Sequence, residues 1–218
     1  MRSVIIYSGG LDSTVLLYKL ASENALAEAV SINYGQRHAK ELEFAFQNCK
    51  KLGVKFNLID LSSLNSVFGN SALTNQSIEV PDGEYARGNI ALTVVPNRNM
   101  IMLSIAAARA MALGCGGVAY AAHSGDHALY PDCTPEFAGA LAKAIALADE
   151  RKIELLRPFI NMGKADIVKL GAELGVDFSG TWSCYKGGKL HCGKCSTCRE
   201  RRQAFIEAGV PDPTEYAS

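Results

Sequence analysis

The chain is poor in the features that mark several large protein classes. Its 218 residues hold no surplus of either charge, since Lys plus Arg and Asp plus Glu both number 22. A nucleic-acid coat or a polybasic membrane binder carries a clear cationic excess, so neutrality argues against both. No apolar run approaches the roughly 20 residues that span a bilayer. The longest helix-like stretch, Ile101 to Leu113, is interrupted by Ser104 and Arg109. A secretory pattern is missing too. Only Val4, Ile5, Ile6 and Tyr7 lie between Ser3 and Ser8-Gly9-Gly10, short of an h-region of about 7–15 residues. A cytoplasmic protein is expected. The sequence has no internal repeat, no low-complexity tract, and neither the G-x-G-x-x-G nor the G-x-x-x-x-G-K-[ST] nucleotide signature. The seven cysteines are odd in number, which argues against a complete disulfide framework.

What remains is a globular composition, 48% hydrophobic and 20% charged, which excludes a disordered chain. Its length suits one large domain, or one domain with a small appendage. Residues 2–7 read as a buried strand, followed by a Gly-Gly turn and a helix opening at Asp12-Ser13-Thr14. Residues 29–33 and 55–61 read as further strands, separated by a helix over 41–52 that Gly53 ends. This βαβαβ rhythm predicts an α/β fold, a doubly wound parallel sheet with helices on both faces. The stretch 62–95 breaks the rhythm. It is rich in Ser, Asn and Gly, and it is read as an insertion closing over the site as a lid. Beyond it come a helix over 100–113 with Gly114 behind it, a strand over 117–122, and a helix over 135–148 with Pro in its first turn. A strand or edge segment over 153–159, a helix over 164–174 and a final helix over 198–208 complete the pattern. The division expected is a body, 1–180, and a C-terminal segment, 181–218.

Two constellations carry chemistry. The first is Ser8-Gly9-Gly10-Leu11-Asp12-Ser13-Thr14, at the first strand–helix turn. Glycines let the backbone approach a ligand, and the helix start offers unpaired N–H groups and a positive dipole end, which suit a phosphate. Asp12 could cap the helix or face a magnesium ion. The second is Cys184, Cys192, Cys195 and Cys198, spaced C-x7-C-x2-C-x2-C. Four thiolates satisfy tetrahedral zinc and leave no open position, so such a zinc is structural. An iron–sulfur cluster, a redox dithiol, or a set in which His191 replaces Cys184 are the alternatives. Around these cysteines six cations (Lys186, Lys189, Lys194, Arg199, Arg201, Arg202) face one acid, Glu200. That cluster reads as a solvated face ahead of an RNA contact.

The S-G-G-x-D-S turn resembles the pyrophosphatase-loop (PP-loop) family of ATP enzymes, in which the loop grips the pyrophosphate of ATP while a substrate oxygen attacks the α-phosphate. With the four cysteines the likeness narrows. Ser8 to Leu17, Tyr34-Gly35-Gln36-Arg37-His38, Ser71-Ala72-Leu73-Thr74 and Val95-Pro96-Asn97-Arg98-Asn99 are similar to the 7-cyano-7-deazaguanine synthase family. So are Tyr130 to Phe137, Lys164-Ala165-Asp166-Ile167 and Thr181-Trp182-Ser183-Cys184-Tyr185. The resemblance runs almost end to end. Asn33 and His123 depart from the family's common pattern, which has Asp and Asn there.

The resemblance implies an adenine nucleotide alpha hydrolase-like fold and a C–N ligase of queuosine biosynthesis. ATP with Mg2+ would activate 7-carboxy-7-deazaguanine, ammonia would give the amide, and a second ATP would drive formation of the nitrile. It also implies one structural Zn2+ and a homodimer. No leading cysteine follows Met1, so free ammonia is expected rather than a built-in glutaminase. On this likeness Ser8, Gly9, Gly10, Leu11, Asp12, Ser13 and Thr14 bind ATP. Arg98, Lys164 and Asp126 are the expected catalytic residues: Arg98 for phosphate or carboxylate, Lys164 for phosphate, Asp126 for magnesium or the purine-like ring. Arg37, Asp132 and Glu136 are the expected substrate contacts, the two acids suiting a guanine-like edge, although Glu136 could equally answer its helix dipole. His38 and His123 read as proton carriers or packing residues, Tyr34 and Tyr130 as stacking or core residues, and Cys133 as a nucleophile or a buried thiol. A tRNA-thiolation enzyme of the PP-loop type and a non-enzymatic nucleotide-binding zinc protein are the competing readings.

Overall fold

Val4 and Ile5 are adjacent, both fully buried, and belong to different apolar clusters. A strand sends successive side chains to opposite faces, so this pair places the first strand in a sheet covered on both sides. A computed structural model describes residues 1–84, 87–126 and 130–217, the side chains of Arg87 and Asp126 excepted. Its sheet has five parallel strands: β1 (Ser3–Ile6), β2 (Leu26–Asn33), β3 (Phe56–Asp60), β4 (Gly117–Ala119) and β5 (Glu154–Leu156). Their order is β3-β2-β1-β4-β5. This is the doubly wound arrangement that the alternating pattern predicts.

One face is covered by α4 (Arg98–Ala112) and α5 (Pro135–Leu147), which contribute Leu103, Ala106, Ala110, Leu141 and Ile145 to a core with Val4, Val30 and Val118. The small-residue stripes of both helices are therefore core. The other face is covered by α1 (Leu11–Ser22), α2 (Glu41–Leu52), α6 (Lys164–Glu173) and α7 (Ser196–Ala208). There Leu16, Leu17, Ala45, Ile167, Phe178 and Phe205 pack with Ile5 and Ala29. Phe205 lies beyond residue 181, so the C-terminal segment shares the core of the body. Among the described residues no helix is long and apolar enough to cross a membrane.

The strand read over 117–122 ends at Ala119. Tyr120 N–H still bonds the Leu156 carbonyl at 3.1 Å, but the chain then bends into a 3-10 turn over Ser124–Asp126. The segment 62–95 is not bare loop. It contains a 3-10 helix (Ser62–Phe68) and the short α3 (Arg87–Thr93). Phe68, Leu73 and Val95 are buried in the same core as Leu103, and Ala72 and Val80 pack with Trp182 and the cysteines.

Candidate active site and metal centre

The chain reverses its winding between β1 and β4, and in such sheets ligands bind at the carboxyl ends of the strands flanking that point. A cleft opens there, lined by Ser8, Gly10, Leu11, Asp12 and Ser13 after β1 and by Tyr120, Ala121 and Ala122 after β4. Gly9 turns the loop with φ of +85°, and a side chain there would collide with the Glu41 carbonyl and sit 2.8 Å from Ala45 N. Only glycine lets the start of α2 approach so closely. Ser8 Oγ lies 3.0 Å from Ser13 Oγ, and Thr14 Oγ1 donates to the Gly10 carbonyl at 2.7 Å. The hydroxyls thus brace the loop, while the first residues of α1, Leu11 to Ser13, line the cleft.

Three elements meet in a charged cluster. Lys164, the first residue of α6, places Nζ 2.7 Å from Glu200 Oε2 on α7 and 3.3 Å from Asp12 Oδ2 on α1. His123 Nδ1 accepts the Gly125 N–H at 3.1 Å, which leaves Nε2 to carry the ring proton, 3.9 Å from Asp12 Oδ2. Burial works to raise the Asp12 carboxyl, but the Lys164 ammonium and His123 hold it below the usual carboxylate range. Asp12 Oδ1 is buried and takes no hydrogen bond among the described residues. An anionic oxygen left open beside a phosphate-type loop fits a magnesium ion.

The opposite wall holds Arg98, whose Nη1 lies 3.4 Å from Tyr34 Oη, together with His38, Glu41, Tyr130, Cys133 and Tyr185. Burial, with the nearby Arg98 and Arg37 charges, pushes His38 down to about 3, so it stays neutral. Burial pushes the Glu41 carboxyl up to about 8, against the Gln36 hydrogen bond and Arg98. Cys133 Sγ accepts from Asn99 Nδ2 at 3.2 Å.

The structure therefore brings together the Ser8–Thr14 loop, Lys164 and Arg98. It does not bring in the three expected substrate contacts. Arg37 Nη2 donates to the Asn75 and Ile78 carbonyls at 2.9 and 2.7 Å, so it staples the 62–95 segment. Asp132 Oδ2 accepts the Asn99 N–H at 3.1 Å and so holds the start of α4, which has no side-chain cap of its own. Glu136 is exposed in the first turn of α5, where it answers the helix dipole. The Asp126 side chain lies outside the described residues. Glu200 and Glu41 are cleft residues that the sequence reading passed over. Glu200 was hidden among cations, while Glu41, three residues after His38 on a helix start at the carboxyl edge, carried a usable signal.

The four cysteines converge, with their sulfurs all within 4.8 Å of one another. The Cys192 and Cys198 sulfurs are 3.9 Å apart. Backbone N–H groups of Cys192, Lys194 and Cys195 point at the Cys184 and Cys192 sulfurs at 3.3–3.4 Å, which favours thiolates. His191 is not in the set: its Nε2 accepts the Ser183 N–H at 3.0 Å, and its ring lies 4.2 Å from that of Trp182. Four thiolates without a carboxylate or an open position suit zinc. Two of the six cations of the basic cluster are taken up within the fold, Arg201 fully buried and Lys186 paired with Asp82 at 2.6 Å, while Lys189, Lys194, Arg199 and Arg202 are exposed, Arg202 lying over the Tyr216 ring at 3.8 Å.

A parallel sheet of this order, with a Ser-Gly-Gly turn after its first strand and a cleft at its carboxyl edge, defines a PP-loop-type α/β protein. Solved structures agree at the level of fold. A 4-thiouridine synthetase solved with RNA and bound ATP has a TM-score of 0.53 at 16% identity, over 95% of this chain and 50% of that one. The NMN synthetase of Francisella tularensis gives 0.52 at 15% identity, over 96% and 78%. The profile of a narrower family, described as "Queuosine biosynthesis protein QueC", matches residues 2–209. The 7-cyano-7-deazaguanine synthase of Caldicellulosiruptor bescii is 49% identical over 216 residues, covering 99% of this chain and 97% of that protein. Its counterpart in Allorhizobium ampelinum is 50% identical over 218 residues, covering 99% and 92%. The chain belongs to the QueC family.

Proposed function

We propose that this protein converts 7-carboxy-7-deazaguanine and ammonia to 7-cyano-7-deazaguanine with the consumption of ATP. The names of its close relatives point to that product. The observation that carries the chemistry is the convergence of the phosphate-type loop, Asp12, Lys164 and Arg98 on one cleft. In this reading the Ser8–Thr14 loop and the start of α1 hold the pyrophosphate of ATP. Lys164 and Arg98 offset charge on the phosphates and on the substrate carboxylate. The substrate oxygen is thereby held in line with the α-phosphorus, first as the acid and then as the amide, so one site serves both activations. Asp12 would hold magnesium, which when bound supplies further positive charge to the phosphates. Cys184, Cys192, Cys195 and Cys198 would hold one zinc that fixes the knuckle between Trp182 and α7. The ammonia is taken free from solution, and the enzyme works as a cytoplasmic homodimer.

The test is an incubation with ATP, magnesium, ammonium and the acid, followed by mass spectrometry of base and nucleotide. Nitrile together with AMP is expected. AMP without base conversion would move the substrate elsewhere, and neither product would refute the reading. Light scattering giving a mass near the 23.3 kDa of one chain would refute the dimer.

A further inference from the structure

We propose that Glu41 is the general base of the C–N chemistry, taking a proton from the reacting nitrogen both when the amide forms and when the nitrile forms. The inference rests on the reaction proposed above and assigns a group that the phosphate-binding residues do not supply. Glu41 is the first residue of α2, and its main chain packs against the loop at Gly9. The loop and Glu41 line one cleft, so an acyl adenylate formed at that loop would share the cleft with the Glu41 side chain. The side chain is buried and lines the cleft. Gln36 Nε2 donates to Oε1 at 3.2 Å, and His38 Nε2 lies 3.6 Å from the same oxygen. Among the described residues Gln36 is the one side chain that donates to this carboxyl, and it meets Oε1, which leaves Oε2 for a ligand.

The other cleft candidates are less suited: Asp12 and Glu200 are both ion-paired with Lys164, His123 accepts a backbone N–H at Nδ1, and burial holds His38 down to about 3, too weak a base to take the proton. The groups facing Glu41 are His38 and Gln36 from its own loop, Tyr34 from the end of β2 and Arg98 from α4. In this setting burial lifts the carboxyl to about 8, and a base poised near the working pH both accepts a proton and releases it.

The steps balance as follows. In the first, the ammonia nitrogen bonds to the acyl carbon and passes one proton to Glu41, while the C–O bond to phosphate breaks and AMP leaves with the electron pair. In the second, the amide oxygen bonds to the α-phosphorus of ATP as pyrophosphate leaves, and nitrogen keeps two protons. One goes to water, and Glu41 takes the other as the C–O bond breaks, AMP leaves with its pair and C=N becomes C≡N. Water removes the proton from Glu41 after each step.

The experiment starts the wild-type protein from the amide, so that the protonation of ammonia does not enter. The rate of nitrile formation should rise with pH and level off near pH 8. In Glu41→Gln it should fall by about 10²–10⁴ and lose that inflection, whereas Glu41→Asp should restore part of the rate and the inflection. Exchange of labelled pyrophosphate into ATP, run with the acid and no ammonium, should persist in Glu41→Gln. Wild-type protein lacking both exchange and product would sink the proposed function itself. If wild type is active but shows no inflection near pH 8, or if Glu41→Gln turns over at the wild-type rate, the base assignment alone is overturned. It is overturned equally if Glu41→Gln loses exchange and nitrile formation together.

Discussion

Arg201→Met should separate the two ends of the site more effectively than any surface change. The Arg201 side chain is fully buried. It donates to Thr181 Oγ1 at 2.7 Å, Ser183 Oγ at 3.2 Å, the Phe178 carbonyl at 3.0 Å and Asp212 Oδ1 at 3.3 Å. It therefore ties α7 both to the strap that carries Trp182 and Cys184 and to the C-terminal tail. Breaking a buried ion pair from one side costs about 3–5 kcal/mol. Here the lower part of that range applies to the pair itself, because Asp212 keeps the Tyr216 hydroxyl at 2.6 Å and the Thr214 N–H at 3.1 Å. The lost bonds to Thr181, Ser183 and the Phe178 carbonyl together add about 1.5 kcal/mol, for a total of about 4.5 kcal/mol. With a urea slope of about 2.5 kcal/mol/M, the midpoint should fall by about 1.8 M in zinc-saturated protein. Arg201→Lys should recover less than half of this, since an ammonium cannot reproduce the guanidinium fork. A midpoint shift below about 0.4 M, equivalent to about 1 kcal/mol, would refute the reasoning. Because the Trp182 main-chain N–H bonds the Gly9 carbonyl at 3.0 Å, the same variant should also bind ATP more weakly, as titration calorimetry would show.

Gly9→Ala forces a side chain into the Glu41 carbonyl at φ of +85°, and ATP binding by calorimetry should be lost; binding within tenfold of wild type would contradict the packing described. Metal analysis should find one zinc per chain, and its removal by a chelator should lower the melting temperature with protection restored by added zinc; an unchanged melting curve would rule out a structural metal. Glu28 is held down to about 2 by Arg109, with Asn57 and Lys55 assisting, so its folded pKa lies below its unfolded one. The stability it contributes is present above about pH 4.5 and lost as pH falls from there towards 2. The melting temperatures of wild type and Glu28→Gln should therefore converge between pH 6 and pH 3, and a constant gap would count against the ion cluster.

The parts of the site that were legible in the sequence are those in which chemistry and chain neighbourhood coincide. The phosphate-type loop is seven consecutive residues at one turn. Three of the four cysteines lie within seven positions, and the fourth is drawn in by a strap that Arg201 anchors. Helix ends were legible for the same reason, because Gly53, Gly114 and Gly175 all take positive φ where the periodicity stops. What could not be read is where a side chain points in irregular backbone. Arg37, His38 and Glu41 share one short loop and helix start, yet Arg37 turns away to hold the Asn75 and Ile78 carbonyls while the other two line the cleft. Charge alone favours the arginine as the ligand contact, and only the fold shows that it is already engaged.

Pairing over long sequence distance is the second barrier. Glu200 sits in a run of cations that reads as a solvated basic face, but its partner is Lys164, 36 residues away. A lysine at a helix start opposes the dipole, and the carboxylates of Asp12 and Glu200 are what make that position tolerable. The misfit at Lys164 was visible in the sequence, and a local conflict of that kind is where a functional constraint should be sought. Followed one step further, it implies that some acid must converge on Lys164. The only acid in the basic run, the sole residue there that breaks its sign, was the one to name.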